Sequence, residues 1–275
     1  MTPGRRRLAV AAVLLVAAAA AAAFLLLRGD EPVAVEKPVA AQKPVVRPPQ
    51  AALPSAPKPA FAIPQPKLLQ DRNSVSRWSP VLRRTAAFRS PDVRTPVVGK
   101  LETQTPEQTT NLVLVLDSTT TPSGEVWAKV RLPVLPNNTV GWIPRRALGG
   151  YTVVATHLVI DRARLRATLY SRGRSVFNAP VGIGESQWPT PGGKFYIRNK
   201  LTQYTNPFYG PLAFGTSARS AVLTDWPAGG FVGIHGTNQP DLIPGRISHG
   251  CVRMRNGDIL RLARIMPIGT PLTVL

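Results

Sequence analysis

Ser248-His249-Gly250-Cys251-Val252-Arg253-Met254 contains the only cysteine of the chain and one of its three histidines. A second histidine stands just upstream in Gly233-Ile234-His235-Gly236. Between them, Pro240, Pro244 and Gly245 punctuate a loop from Thr237 to Ile247 that can fold the two stretches together. A thiol becomes a useful nucleophile when an imidazole takes its proton and nearby donors favour the thiolate. Cys251 is therefore the candidate nucleophile. His235 and His249 are both candidate bases, and spacing alone does not separate them. Gly250 permits close backbone approach to a ligand, and the amides of Gly250 and Cys251 are candidate donors to an oxyanion. Ser248 is a candidate hydrogen-bonding group in the same loop. Two other readings stand beside this one. The thiol could be inert and buried, or His235, His249 and Cys251 could ligate zinc with Asp241 as a fourth ligand.

Outward from this stretch the chain reads as mainly β. Downstream, Asn256 to Met266 is expected to be a helix, with Asn256 as its cap and Asp258 in its first turn. Ile259, Leu260, Leu262, Ala263 and Met266 would form its buried face. Ile268 to Val274 would close a sheet. Upstream, His157 to Ile160 has the β-branched character of a buried strand, and His157 reads as a packing residue. Arg164 to Tyr170 alternates, Ser171 to Arg174 supplies a hairpin turn, and Ser175 to Val181 continues as strand. Gly182 and Gly184 read as loop entry, and Lys194 to Arg198 as another strand. Short strands at close spacing predict a mainly antiparallel β-sandwich or curled sheet. Leu201 to Phe231 is read as one long loop carrying Tyr204, Phe208, Tyr209, Phe214 and Trp226. Such loops in compact domains are commonly functional.

His235-Gly236 followed by Ser248-His249-Gly250-Cys251-Val252-Arg253 resembles the motif of the L,D-transpeptidase catalytic domain, the YkuD family. Pro189-Thr190-Pro191-Gly192-Gly193-Lys194-Phe195-Tyr196-Ile197 is similar to a second motif of that family, a Thr-Pro-x-Gly turn feeding an aromatic strand. The resemblance covers roughly 151–275. It implies a YkuD-type β-sandwich with one or two short helices over 150–275. It also implies Cys251 as nucleophile and His235 as general base, oriented by the main-chain carbonyl of Gly236. On that view His249 is structural, and a lid over the site occupies the Leu201–Phe231 region. The implied reaction is two-step acyl transfer on a peptidoglycan tetrapeptide stem. D-Ala is released, a thioester remains on Cys251, and a second stem's amine resolves it into a 3→3 cross-link, with no metal and no cofactor. Water or a protein amine as acceptor would give a carboxypeptidase or an anchoring enzyme instead. Members are typically acylated by carbapenems. Many carry Asn two places after the cysteine, where this chain has Arg253. Arg253 could grip a stem carboxylate, and Tyr196 is a second candidate substrate contact.

The region 68–149 has short strands and turns of its own. Val97 to Leu101, Asn111 to Leu116, Val126 to Leu132 and Thr139 to Pro144 read as strands. In the third of these Val126, Ala128, Val130 and Leu132 share one side, with Trp127, Lys129 and Arg131 on the other. Trp127 and Gly141-Trp142-Ile143-Pro144 resemble bacterial SH3-like domains, which implies a small barrel that binds wall peptides or positions a catalytic neighbour. Core packing of Trp127 and Trp142 is the plainer reading.

At the N-terminus Arg5-Arg6-Arg7 precedes an apolar run, Leu8 to Leu27, of membrane-spanning length, closed by Arg28. A retained signal-anchor over 1–28 is expected, with the rest of the chain on the outer side of the cell membrane. A cleaved signal peptide is the rival. Residues 29–67 are Pro-rich and read as a disordered tether. The chain carries 34 Lys+Arg against 14 Asp+Glu, a net charge of +20. That excess is spread along all regions. It favours polyanionic surroundings, but no nucleic-acid motif of ordered aromatic and basic residues accompanies it. A non-catalytic wall-binding protein would use the small barrel and the tether, yet would leave the Cys-His stretch without a role.

Overall fold

This computed structural model describes residues 75–202, 206–223 and 230–275. The expected anchor, the Pro-rich tether, residues 68–74, Tyr204 and Trp226 lie outside the described residues. Among the described residues no helix is long and apolar enough to cross a membrane.

Two sheets account for nearly all the regular structure. The first uses β1 (Ser76–Pro80), β2 (Thr85–Phe88), β3 (Val97–Leu101), β4 (Leu112–Thr120), β5 (Val126–Arg131), β6 (Val140–Pro144) and β7 (Thr152–Val154), in the order β3-β2-β6-β5-β4-β1-β7. Alternation along β5 buries Ala128 and Val130 against Val113, Val115 and Ile143. The opposite face of β5 is not simply wet. Trp127 is buried there, edge-to-face on Phe88 at 5.9 Å, while Val126 at the strand start is exposed. Because β7 pairs with β1, the change of sheet falls at Ala155.

The second sheet is built from β8 (Thr156–Asp161), β9 (Arg166–Ser171), β10 (Arg174–Pro180), β11 (Gly182–Gly184), β12 (Gly193–Leu201), β13 (Ala213–Arg219), β14 (Phe231–His235), β15 (Gly245–Ser248), β16 (Val252–Arg253) and β17 (Pro271–Val274). Its strand order is β10-β9-β8-β17-β12-β13-β14-β16-β11-β15. The long strand β12 belongs to both halves. Gly193 to Tyr196 pair with β17, and Ile197 to Leu201 pair with β13, with a register shift between Ile197 and Asn199. One strand thus serves two layers, and their inner faces close on a single core that includes Leu158, Phe195, Phe214, Ile234 and Val252. Each such side chain contributes roughly 1.5–3 kcal/mol by leaving water.

The one α-helix among the described residues, α1 (Asn256–Ile265), adds Ile259 and Leu262 to that core. Leu260, expected on the buried face, is exposed, since i, i+3 and i+7 from Ile259 select Leu262 and Met266 instead. The helix cap is Arg255, without a side-chain hydrogen bond, so Asn256 is not the cap.

Three strand pairs are parallel: β11 with β15, β14 with β16, and β17 with β8. The expectation of a mainly antiparallel sheet misses these, because parallel pairing needs crossovers that short-range patterning does not mark. Gly182 and Gly184 form β11 rather than a loop entry. A side chain at 184 would run into the Trp188 carbonyl, and one at 182 would meet Ile247 at 2.6 Å. The stretch 201–231 is likewise not one loop, for it contains β13, and Phe214 is a fully buried core residue there.

Candidate active site

The parallel pair β14 and β16 sets the site. Ile234 lies opposite Val252 and His235 opposite Arg253. Side chains alternate along strands, so Gly233, His235 and Arg253 share one face, while Ile234 and Val252 point into the core; Cys251 is the residue before β16, and its Sγ lies 3.9 Å from where a Cβ at Gly233 would stand. Gly233 contributes no side chain to that face, and its N–H donates to Cys251 Sγ at 3.3 Å. Cys251 as a residue is half-buried.

His235 is buried. Its Nδ1 lies 2.6 Å from the Gly236 carbonyl oxygen. A carbonyl can only accept, so Nδ1 carries the proton and Nε2 holds the basic lone pair. The Gly236 carbonyl therefore does here what a carboxylate does in a Ser-His-Asp triad. The loop bearing it is held by Asn256, whose Oδ1 accepts from the Thr237 amide at 2.9 Å, and by the Gly236 amide, which donates to the Leu212 carbonyl at 3.1 Å.

The turn into Cys251 is fastened from two sides. Ser248 Oγ donates to the Cys251 carbonyl at 2.6 Å and accepts from the Gly250 amide at 3.2 Å. Thr190 Oγ1 donates to the Gly250 carbonyl at 2.8 Å while accepting from the Gly184 amide at 2.9 Å. Gly250 itself has φ +110°, a conformation that L side chains rarely adopt. Its N–H is engaged by Ser248 Oγ.

A short 3-10 turn, Pro207–Tyr209, covers the histidine. The Tyr209 ring lies 5.0 Å from that of His235, and the Phe208 ring 6.2 Å from it. Arg253 is buried, with its guanidinium 4.2 Å from the Phe208 ring centroid and its Nη1 donating to Gln239 Oε1 at 3.2 Å. Among the described residues its buried Nε has no hydrogen-bond partner. A buried donor of this kind calls for a ligand atom or water.

Burial dominates the electrostatics. It pushes the Cys251 thiol above its ordinary value, against the pull of the Gly233 N–H and the Arg253 charge. Desolvation drives His235 down to about 4, opposed by the Gly236 carbonyl and reinforced by Arg253. At neutral pH the resting pair is thiol and neutral imidazole. A neutral imidazole whose lone pair sits on Nε2 is able to accept a thiol proton, the chemistry of general-base activation.

The structure thus gathers Cys251, His235, Gly236, Ser248, Gly250 and Arg253 into one place. His249 is exposed and stacks on Trp188 with ring centroids 4.0 Å apart. Tyr196 does not belong to the site. It is fully buried, and its hydroxyl donates to the Leu112 carbonyl at 3.1 Å in the seam between the two sheets, so no substrate reaches it. Asp241 is exposed, and among the described residues no group of three or more His, Cys, Asp or Glu is placed to hold a metal ion. Sequence reasoning missed Thr190 and Asn256 as fasteners of the site. Thr190 stood in a quoted motif, but only as part of a turn.

A thiol just before β16 and an oriented imidazole at the end of β14 carry the residue types that nucleophilic acyl transfer uses. The YkuD family profile, described as the L,D-transpeptidase catalytic domain, matches residues 155–274. The chain is 33% identical over 118 residues to the "Putative L,D-transpeptidase YkuD" of Bacillus subtilis (strain 168), a match covering 43% of this chain and 65% of that protein. It is 37% identical over 106 residues to the protein of the same description from Bacillus licheniformis, covering 38% and 57%. The chain therefore spans less than two thirds of these relatives' length. The solved catalytic domain of the E. faecium L,D-transpeptidase is similar over 44% of this chain and 96% of that one, at 26% identity and a TM-score of 0.33.

Proposed function

We propose that this protein is a peptidoglycan L,D-transpeptidase working by cysteine acyl transfer. The observation that carries the reading is the placement of Cys251 just before β16 and His235 at the end of β14, inside the segment that matches the L,D-transpeptidase profile. Cys251 Sγ attacks the carbonyl that joins the diamino acid at position three to D-Ala. His235 Nε2 takes the thiol proton, and the Cys251 amide faces the oxyanion. As the tetrahedral intermediate collapses, His235 returns the proton to the amine of D-Ala, which leaves. The thioester is then resolved by an incoming nucleophile, giving a 3→3 cross-link when that nucleophile is a stem amine. Arg253, with an unpartnered Nε beside the thiol, is read as the receptor for a stem carboxylate.

Around this domain we place an SH3-like module over the first sheet, a Pro-rich tether and an N-terminal anchor, with catalysis on the outer side of the cell membrane. Support for the module is its small sheet of seven short strands and the Trp142-Ile143-Pro144 strand. Support for the anchor is the apolar run 8–27. Cys251→Ala is expected to fold normally and to release no D-Ala from a tetrapeptide donor. Retained turnover in that variant would refute the nucleophile assignment.

A further inference from the structure

The first sheet carries a cleft of about 560 Å³ that shares no residue with the site around Cys251. The loop from β2 to β3 contributes Pro91, Asp92 and Val93 to it, and the turn from β4 to β5 contributes Pro122 and Glu125. Trp127 lines it as well, packed on Phe88. Among the described residues the buried indole Nε1 of Trp127 has no hydrogen-bond partner, and a buried donor of this kind calls for an acceptor from outside. The lining is apolar and acidic together. Val93 is 60% exposed, and two carboxylates stand against one guanidinium in a chain whose net charge is +20. Asp92 pairs with Arg94 and Glu125 with Arg146. Both are surface pairs, worth little on their own and readily shared with another cation.

The chain itself holds a matching occupant. Phe61-Ala62-Ile63-Pro64-Gln65-Pro66-Lys67 closes the Pro-rich stretch and lies outside the described residues. A segment in polyproline II leaves its carbonyls without internal partners, and its prolines remove donors. It is therefore rich in acceptors for a lone indole N–H, and aromatic-lined grooves recognise segments of this kind. At three residues per turn, Phe61, Pro64 and Lys67 fall on one face. That face offers a ring and a proline to the apolar lining and a cation to the carboxylates. The chain also enters the first sheet at the end where the cleft lies. β1 is antiparallel to β4 with Arg77 opposite Val115. Thr119 and Thr120, which line the cleft, lie roughly 14–17 Å further along β4. Lys67 precedes Arg77 by ten residues, a reach of up to about 33 Å. A segment tethered this closely acts at a local concentration on the order of millimolar, so weak contacts suffice.

We infer that this cleft is the docking site of the chain's own residues 61–67. A carbonyl of the segment accepts from Trp127 Nε1, Phe61 and Pro64 lie against Pro91, Val93 and Pro122, and Lys67 stands beside Asp92 and Glu125. The inference is independent of the chemistry at Cys251. Its consequence concerns reach: docked, the segment becomes part of the first sheet's surface, and released, it adds about 20 Å to the extended Pro-rich stretch.

The test treats the full chain with a zero-length carbodiimide, which joins a lysine amine to a carboxylate in contact with it, and maps the links by mass spectrometry. Lys67 should link to Asp92 or Glu125. Phe61→Ser and Pro64→Gly keep the length of the chain and touch no described residue. Phe61→Ser should lower that link about tenfold through lost burial, and Pro64→Gly about fivefold through the freedom it gives the released segment. Trp127→Phe, which removes the N–H, should lower it about fivefold. Because Trp127 is a buried residue, a second reading leaves it in place: the indole 15N–1H resonance of Trp127 should lie downfield in the wild type and move upfield in Phe61→Ser. A Lys67 link of equal yield in all segment variants records closeness along the chain alone and overturns the docking, as does an indole resonance that Phe61→Ser leaves unmoved. Links that join light to 15N-labelled chains in an equal mixture assign the cleft to a second copy's segment and overturn docking within one chain. Cys251→Ala should give the same links as the wild type, so the outcome is separate from that of the transpeptidase reading.

Discussion

Cys251 and His235 rest uncharged because both are short of water. The cost of charging a buried imidazole, more than any neighbour, sets the His235 value of about 4. Its folded pKa lies below the unfolded value, so the unfolded state binds the proton first as pH falls. Stability from this group is complete above about pH 6.5 and is lost as pH drops towards 4, up to about 3 kcal/mol. Thermal midpoints of the wild type should therefore fall more steeply between pH 7 and 4 than those of His235→Gln. Parallel slopes would contradict the neutral buried imidazole. Only part of this was legible in the sequence. The residue types at Cys251, His235 and Gly250 announced thiol chemistry, but two histidines competed for the base. The strand register, which sets His235 opposite Arg253 while His249 stacks on Trp188, is what favours His235, and it is not written in local sequence.

Among the elements, the turn between β11 and β12 does more than connect strands. Thr190 is buried and bridges the Gly184 amide to the Gly250 carbonyl. It thereby ties β11 to the residue before Cys251. Thr190→Val keeps the shape but leaves both backbone groups without the hydroxyl. The expected result is roughly a 100-fold loss of acylation rate from misplacing the sulfur, with a stability loss of about 1–3 kcal/mol. An unchanged rate would mean that the hydroxyl only fills space. Several elements were plain from patterning. Val126 to Leu132 and Thr139 to Pro144 overlap β5 and β6, and Ser171 to Arg174 spans the β9–β10 turn, where Arg172 and Gly173 both have positive φ. The parallel pairs, the glycine strand β11 and the role of Asn256 were not legible. Each depends on a partner distant in sequence, and a side-chain amide has the same local preferences whether it caps a helix or reaches Thr237.

Across the molecule, the first sheet braces the second through a polar and apolar seam. Leu112, Leu114 and Tyr196 pack together. Glu107 pairs with the buried Arg198 at 2.9 Å and accepts from Asn199 at 3.1 Å. Asn137 accepts from the Arg219 amide and donates to its carbonyl. The Arg198 and Arg219 guanidinium groups lie 3.6 and 5.0 Å from the Phe231 ring centroid, at the start of β14. The strand that ends in His235 is therefore steadied at its other end by residues anchored to the first sheet. A Trp-bearing β-unit was visible in the sequence, but Tyr196 was misread as a substrate contact because an aromatic in a motif strand gives no sign of which sheet it faces.

On the proposed reading, these parts together present Cys251 as an activated thiol in an acyl-accepting site. The most direct measurement is intact mass of the full chain after incubation with a carbapenem, beside Cys251→Ala treated in the same way. One adduct on the wild type and none on the variant are expected. Folded wild-type protein that stays unmodified, or an adduct that survives in Cys251→Ala, would contradict that reading.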